Sequence, residues 1–469
     1  MEQPSAQQKR VGYFLLAAFY LMAFLIVPSN GDPYSSWIFP RVIALSSLGA
    51  IGFVLFRSWK DLPTFPLILI ALYFLGVLVS NALSADEKAY LIIGHEERYD
   101  GLLYQIALFL WLSSAWRIFR LLNKMALIRF AVSGLVLLGI LQAILVGTYL
   151  FLNIDIIGFI LYQGAKNTYP IGTLGFKALV TLSTGTAAIL VAMLSENRWP
   201  QKPLIFFLGL STGLAAGRAA LIGAMSSSGL GAIIASTKKR YTLLLLFASI
   251  IAGALLRDPS AQILRQKKAN VLSAHTLETR FKIWDLSLHI LKKHRWLVFY
   301  GLGSDALRYA LIKDLPRDPI LREKLSEFLR LEERIPTDHI EKMDIAILPK
   351  YGLRSTAIQL HFVNKETGRE SIFLSSIVLD RAHNLLLDLW LRYGLIAALS
   401  YFFFAFGPIV TLFNEVKRRR LLNIQILIAL SLVLVLHFFH YLAWFTMPLW
   451  EPYFLTISLL AWHTWLKKS

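Results

Sequence analysis

Four short groups of residues have the types and spacing to do chemistry. The run Asp380-Arg381-Ala382-His383-Asn384 leads into an apolar stretch, with Asp388 and Arg392 at i,i+4 spacing just below it. An imidazole titrates near neutrality, so His383 at the mouth of such a stretch is placed to take a proton from a hydroxyl. Its plain alternative is an ordinary surface histidine. Asp388 and Arg392 can neutralise each other along one helix face. Arg218 stands in Ala216-Gly217-Arg218-Ala219-Ala220, where small neighbours let a bulky anionic head group approach the guanidinium. Alternatively, it is a snorkelling arginine that fixes a tight helical hairpin. Arg280 opens Thr279-Arg280-Phe281-Lys282-Ile283-Trp284 and by itself reads equally well as a contact to lipid head groups. His437 and His440, at i,i+3, make a poor metal pair without a third ligand. They read as helix packing or as the lining of a polar cavity.

The elements that must position these residues are membrane helices. Of 469 residues, 56% are hydrophobic and only 16% are charged, and the mean hydropathy is +0.57. A soluble domain has roughly 45–50% apolar and about 25% charged residues. The excess is concentrated in long runs, and a helix that crosses a bilayer needs about 20 mostly apolar residues. Twelve candidate spans follow, near 11–29, 38–56, 64–83, 102–119, 128–152, 174–194, 203–217, 219–236, 241–256, 384–413, 421–443 and 449–466. The first has no cleavage site after it and reads as a retained anchor. Cysteine is absent, which excludes a disulfide framework, a thiol nucleophile and a thiolate metal site.

Charge placement orients the spans. With the N-terminus inside, the inner segments hold nineteen basic residues, from Lys9 and Arg10 to Lys467 and Lys468, against Glu2, Asp61, Glu196 and Glu415. That is the positive-inside pattern, with both termini cytoplasmic. The net charge of +19 therefore reads first as topology and not as nucleic-acid binding. Residues 1–256 hold spans one to nine, 257–382 form a large outer segment, and 383–469 hold the last three spans. Inside the outer segment, Phe281, Trp284, Leu288 and Leu291 fall at helical spacing before Lys292, Lys293, His294 and Arg295. That pattern predicts an amphipathic helix on the membrane interface. Thr356–Val363 and Glu370–Ser376 read as a β-hairpin, and Gly301-Leu302-Gly303-Ser304 reads as a turn.

Polar residues at membrane depth cost roughly 2.5–3.5 kcal/mol each and are functional candidates by default. They are Asn81, Lys177, Arg218, Asp388, Arg392, His437, His440 and Glu451, and the outer loops add Arg98, Lys166, Arg265 and Arg280. Basic residues converge on the outer face without a matching set of carboxylates in the spans. Such a face binds anions, and phosphate suits guanidinium forks. The acidic loop with Asp86, Glu87, His95, Glu96, Glu97 and Asp100 reads either as a divalent-cation site or as a solvated outer loop.

With these pieces placed, the chain resembles the O-antigen ligase and O-antigen polymerase superfamily of bacterial inner-membrane glycosyltransferases. The resemblance is carried by twelve spans with one large periplasmic loop before the last three. It is carried also by Arg280-x-x-x-Trp284 with the Gly301-x-Gly303 turn after it, and by His383-Asn384 with Gly394 ten residues after the asparagine. Ligases continue with hydroxyl residues after that glycine, where this chain has Ile396-Ala397-Ala398.

The resemblance implies an all-α, GT-C-like membrane fold with a mainly helical periplasmic loop. It implies transfer of O-antigen glycan from undecaprenyl pyrophosphate to a sugar hydroxyl of lipid A-core, inverting and without metal or other cofactor. His383 would be the general base, and Arg280 and Arg218 would clamp the pyrophosphate. Arg265, Asn384, Arg381, Arg98 and Lys177 would complete substrate binding. The same donor serves O-antigen polymerases and protein O-oligosaccharyltransferases, and a lipid-linked sugar flippase is the alternative of a different class. Transporters often show an internal repeat, and none is visible in this sequence.

Overall fold

The structure is a computed structural model. It describes residues 5–26, 33–56, 64–86, 88–94, 98–152, 154, 156, 174, 177–195, 201–215, 217–263, 275–333, 340–350, 353–363, 368, 370–375, 381–417, 424–444 and 447–466. The first six helices are α1 (Ala6–Leu21), α2 (Pro33–Leu55), α3 (Phe65–Leu83), the short α4 (Lys88–Ile92), α5 (Leu102–Leu121) and α6 (Lys124–Phe151). Then come α7 (Lys177–Leu194), α8 (Gln201–Ala215), α9 (Arg218–Ile234) and α10 (Thr237–Ile263). The 257–382 segment contributes α11 (His275–Lys293), α12 (Ala306–Asp314), α13 (Pro319–Glu333), β1 (Ile340–Lys350), β2 (Leu353–Val363) and β3 (Glu370–Ser375). The chain closes with α14 (Leu385–Tyr393), α15 (Leu395–Lys417), α16 (Ile424–Leu442) and α17 (Glu451–Leu466).

Helices fall on all twelve apolar segments. Among the described residues, seven are long and apolar enough to cross a membrane: in α2, α3, α5, α6, α7, α10 and α16. Apolar side chains such as Phe14, Val54, Leu75, Ile233 and Val410 point outward, more than half exposed, as suits a lipid-facing surface. The chain is a membrane-embedded helical bundle.

One expected span is broken. The 384–413 stretch is interrupted at Gly394, whose φ of +88° favours glycine, so α14 and α15 are separate helices. A Cβ there would meet the Phe299 carbonyl oxygen at 2.8 Å and the Tyr300 Cα at 2.9 Å. The break lets the 299–304 segment lie directly against the chain. The Gly301–Ser304 turn then docks between α3 and α14. Gly301 N–H donates to Ser80 Oγ (2.8 Å), Leu302 N–H to the Leu391 carbonyl (2.8 Å) and Gly303 N–H to the Arg392 carbonyl (3.0 Å). Ser304 donates from Oγ and from its backbone N–H to Asn81 Oδ1, at 2.9 and 3.2 Å. Asn81, a candidate for function at membrane depth, thus serves as an acceptor that seats the turn.

The 257–382 segment builds a second core, completed by Leu391 of α14. Ile283, Leu286 and Ile290 of α11 pack with Leu307 and Leu311 of α12 and with Leu321 and Leu325 of α13, all buried. A fully buried leucine of this kind contributes about 1.5–3 kcal/mol. The buried stripe of α11 is offset from the expected one: Phe281 and Leu288 face outward, whereas Leu291 is buried. The segment is also less purely helical than expected. The β2–β3 hairpin pairs antiparallel from Ile358↔Ser375 to Val363↔Glu370, and β1 adds a third antiparallel strand along β2.

A polar staple holds these helices together. Asp318 Oδ1 accepts from the Leu321 N–H at 3.0 Å, capping α13 ahead of Pro319 at its first position. Asp318 Oδ2 meets His289 Nε2 and Lys293 Nζ, both at 3.0 Å. Asp314 meets His294 Nε2 at 2.6 Å and Lys293 Nζ at 3.3 Å. Burial by itself would raise the Asp318 carboxyl, but the Leu321 N–H, His289 and Lys293 outweigh it and hold it well below the usual carboxylate range.

Gly394→Ala should lower stability by about 1–3 kcal/mol through forced left-handed backbone and the clash at Phe299, read as a lower unfolding temperature in detergent. A depressed folded-state carboxyl stabilises above its unfolded value and loses that contribution as pH falls through the folded one. Protection factors in α13 should therefore fall as pH drops below about 4, and Asp318→Asn should flatten that dependence.

Candidate functional site

The candidate site is built on a buried charge cluster. Arg381 is 0% and Arg392 1% exposed, and Asp100 and Asp388 are equally enclosed. The Arg381 guanidinium pairs closely with Asp100 Oδ2, and Arg392 Nη2 lies 3.4 Å from the same oxygen. Asp388 lies 3.9 Å from Arg381 and 3.7 Å from Arg392. Both arginines donate to the Ser304 carbonyl at 3.0 Å, and Arg392 donates to the Asp100 carbonyl at 3.0 Å. Two cations and two anions thus compensate one another where water screens little.

Arg381, expected to bind substrate, is buried with its guanidinium paired to Asp100 and the Ser304 carbonyl. The i,i+4 pairing of Asp388 with Arg392 is present, but within a four-charge set whose other half comes from distant chain. Asp86 is engaged in the same manner, taking Arg308 Nη2 on both oxygens at 2.8 and 3.0 Å. Two carboxylates of the acidic loop therefore serve arginines. Glu87, His95, Glu96 and Glu97 lie outside the described residues, as do Lys166, Arg265 and Asp380.

Two residues beyond Arg381 the chain reaches His383, half-buried and in the left-handed region with φ +51°. For a non-glycine residue that conformation costs about 1–3 kcal/mol and persists only where neighbours over-determine it. They do so here. Trp284 Nε1 donates to the His383 carbonyl at 3.3 Å. Asn384 caps α14, its Oδ1 accepting from the Leu387 N–H at 3.1 Å while its Nδ2 donates to the Leu442 carbonyl at 3.0 Å. Asn384 was expected to bind substrate, yet both ends of its amide hold backbone. It ties the start of α14 to the end of α16 and so aims its neighbour.

The imidazole of His383 lies edge-on to Trp444, with ring centroids 5.5 Å apart. Arg280 reaches the same ring from α11, its Cζ 5.2 Å from the centroid, a cation–π distance worth about 0.5–2 kcal/mol. Trp444 is thus a platform shared by the expected general base and an expected phosphate clamp. The sequence reading missed it. The signal was present, since Trp444 stands one helical turn beyond His440 at the end of a span.

Arg218 and Lys177 open neighbouring helices. The Gly217 N–H donates to Thr181 Oγ1 at 3.0 Å, so the start of α9 sits on the first turn of α7. Both side chains are half-buried. A Cβ on Gly223 of α9 would run into the Leu436 carbonyl of α16. At 1.5 Å rise per residue, the antiparallel run brings Arg218 level with His440. Arg98 is half-buried in the loop that delivers Asp100.

The two histidines of α16 differ. His437 Nε2 accepts from Trp450 Nε1 at 2.8 Å, so its proton is on Nδ1, which lies 2.8 Å from the Val433 carbonyl. Both nitrogens are engaged and His437 is a packing residue. His440 is equally buried, 6.0 Å from Trp444. Glu451 is likewise internal, accepting from the Tyr104 and Tyr401 hydroxyls at 2.9 and 2.7 Å. No family model and no curated protein matches the chain.

Arg381→Ala should cost about 3–5 kcal/mol by leaving Asp100 short of a cation in the interior. Arg381→Gln with Asp100→Asn should lose less than the two single changes together, as measured by thermal unfolding in detergent. An Arg381→Ala protein of normal stability that fails only in substrate binding would favour the substrate-binding role over the structural one.

Proposed function

We propose that this chain is a membrane glycosyltransferase that moves an O-antigen glycan from undecaprenyl pyrophosphate to a sugar hydroxyl of lipid A-core. The observation that carries the proposal is the convergence of Arg280 and His383 on the Trp444 ring. That pairing sets a base able to take a hydroxyl proton beside a cation suited to a phosphate. The resemblance of Arg280-x-x-x-Trp284, His383-Asn384 and Gly394 to the ligase and polymerase superfamily supplies the substrate class.

In the proposed reaction the acceptor oxygen attacks the anomeric carbon from the face opposite the pyrophosphate. The new C–O bond forms as the bond to pyrophosphate breaks, the configuration inverts, and His383 takes the acceptor's proton. Arg280 and Arg218 offset the charge that grows on the departing undecaprenyl pyrophosphate, with Lys177 at the same helix end and Arg265 assigned to the clamp by resemblance. The arrangement proposed is twelve spans in the bacterial inner membrane, with both termini cytoplasmic, the site periplasmic, and no metal required.

A reconstituted assay with lipid-linked glycan and lipid A-core tests this. His383→Ala should slow transfer by about 10²–10⁴-fold in protein that still folds, and Arg280→Lys should retain more donor use than Arg280→Ala. Unchanged turnover in His383→Ala would remove the general-base role. A requirement for divalent cation, shown by EDTA arrest and rescue, would overturn the metal-free mechanism. Transfer only to a second lipid-linked glycan, or only to a protein acceptor, would reassign the acceptor.

A further inference from the structure

We infer that His440 is a ligand-contacting residue of this site, donating a hydrogen bond to the pyrophosphate-bearing head of the lipid-linked donor. The inference rests on the reading just proposed and gives a ligand contact to a residue that the resemblance does not point to. His440 is 0% exposed, and neither of its ring nitrogens has a hydrogen-bond partner among the described residues. Buried polar side chains are, as a rule, hydrogen-bonded. One helical turn earlier His437 obeys that rule at both nitrogens. A histidine kept only for packing would be expected to follow it too, or to be replaced by an apolar ring. Position supplies the second argument. His440 lies 6.0 Å from the Trp444 ring that Arg280 and His383 share, and the close contact of Gly223 with Leu436 brings it level with Arg218. It therefore lies among the residues assigned to the donor's phosphates.

The test compares the purified full-length protein with its His440→Phe and His440→Gln variants, using undecaprenyl pyrophosphate as the probe. Without probe, His440→Phe should unfold at the same temperature as the wild type or higher, because an unmet polar group has been removed. The probe should raise the unfolding temperature of the wild type more than that of His440→Phe, and KM for the lipid-linked donor should rise about tenfold, equivalent to about 1.4 kcal/mol. His440→Gln, which keeps a donor, should recover part of both effects and serves alone should the phenylalanine variant not fold. An equal probe-induced shift in all three proteins would overturn the role of His440 and leave the donor reading standing. No shift even in the wild type would overturn the donor reading and this inference with it. A variant that is destabilised yet keeps the full shift would mark His440 as a packing residue.

Discussion

Burying a charge is costly unless a partner and hydrogen bonds accompany it, and the bundle contains four charges at one point. Asp100 comes from the loop before α5, Asp388 and Arg392 from α14, and Arg381 from the chain just ahead of it. The Ser304 carbonyl, from the turn after α11, accepts from both arginines. Three stretches remote in sequence are thereby held in one register. Apolar packing would have drawn the 257–382 segment onto the bundle, but it is non-directional and would not choose this register by itself. Seated between α3 and α14, the Gly301–Ser304 turn adds the Ser304 carbonyl as an acceptor for both arginines.

Everything of chemical interest stands on that joint. His383 follows Arg381 by two residues, and its left-handed backbone is held from one side by Trp284 and from the other by the Asn384 cap. Arg280 is carried by α11, whose buried face belongs to the second core, which Leu391 of α14 completes. The contacts at Trp444 therefore come from three places in the chain: the end of α16 brings the Trp444 ring, the start of α14 brings His383, and α11 brings Arg280.

Much of this was legible in the chain. The helical segments follow from runs of about 20 apolar residues, because lipid leaves no other way to satisfy the backbone. The β2–β3 hairpin followed from two β-rich runs around a turn, and the Asp388–Arg392 pair from i,i+4 spacing. The break at Gly394 was not legible. A lone glycine in an apolar run reads as continuous helix, and only the nearness of Phe299 and Tyr300 shows why the chain must turn there. The offset of the buried stripe on α11 was hidden for a related reason, since that helix has apolar residues on two sides and its partners decide which side is covered.

The division is sharpest among the basic residues. Their number, and their crowding into alternate loops, are properties of composition and order, and the sequence by itself determined them along with the membrane class and the segments that become helices. What each cation does was decided only in three dimensions. In sequence Arg381 and Arg280 are alike as cations expected to meet an anion. Arg381 is enclosed by Asp100, 281 positions away, and Arg280 stands over Trp444, 164 positions away. The physical reason is that an ionic or cation–π contact acts over a few ångströms of space and carries no mark of its partner in local spacing. Residue type told which groups were able to meet an anion, and the tertiary contacts told which were already occupied in holding the fold.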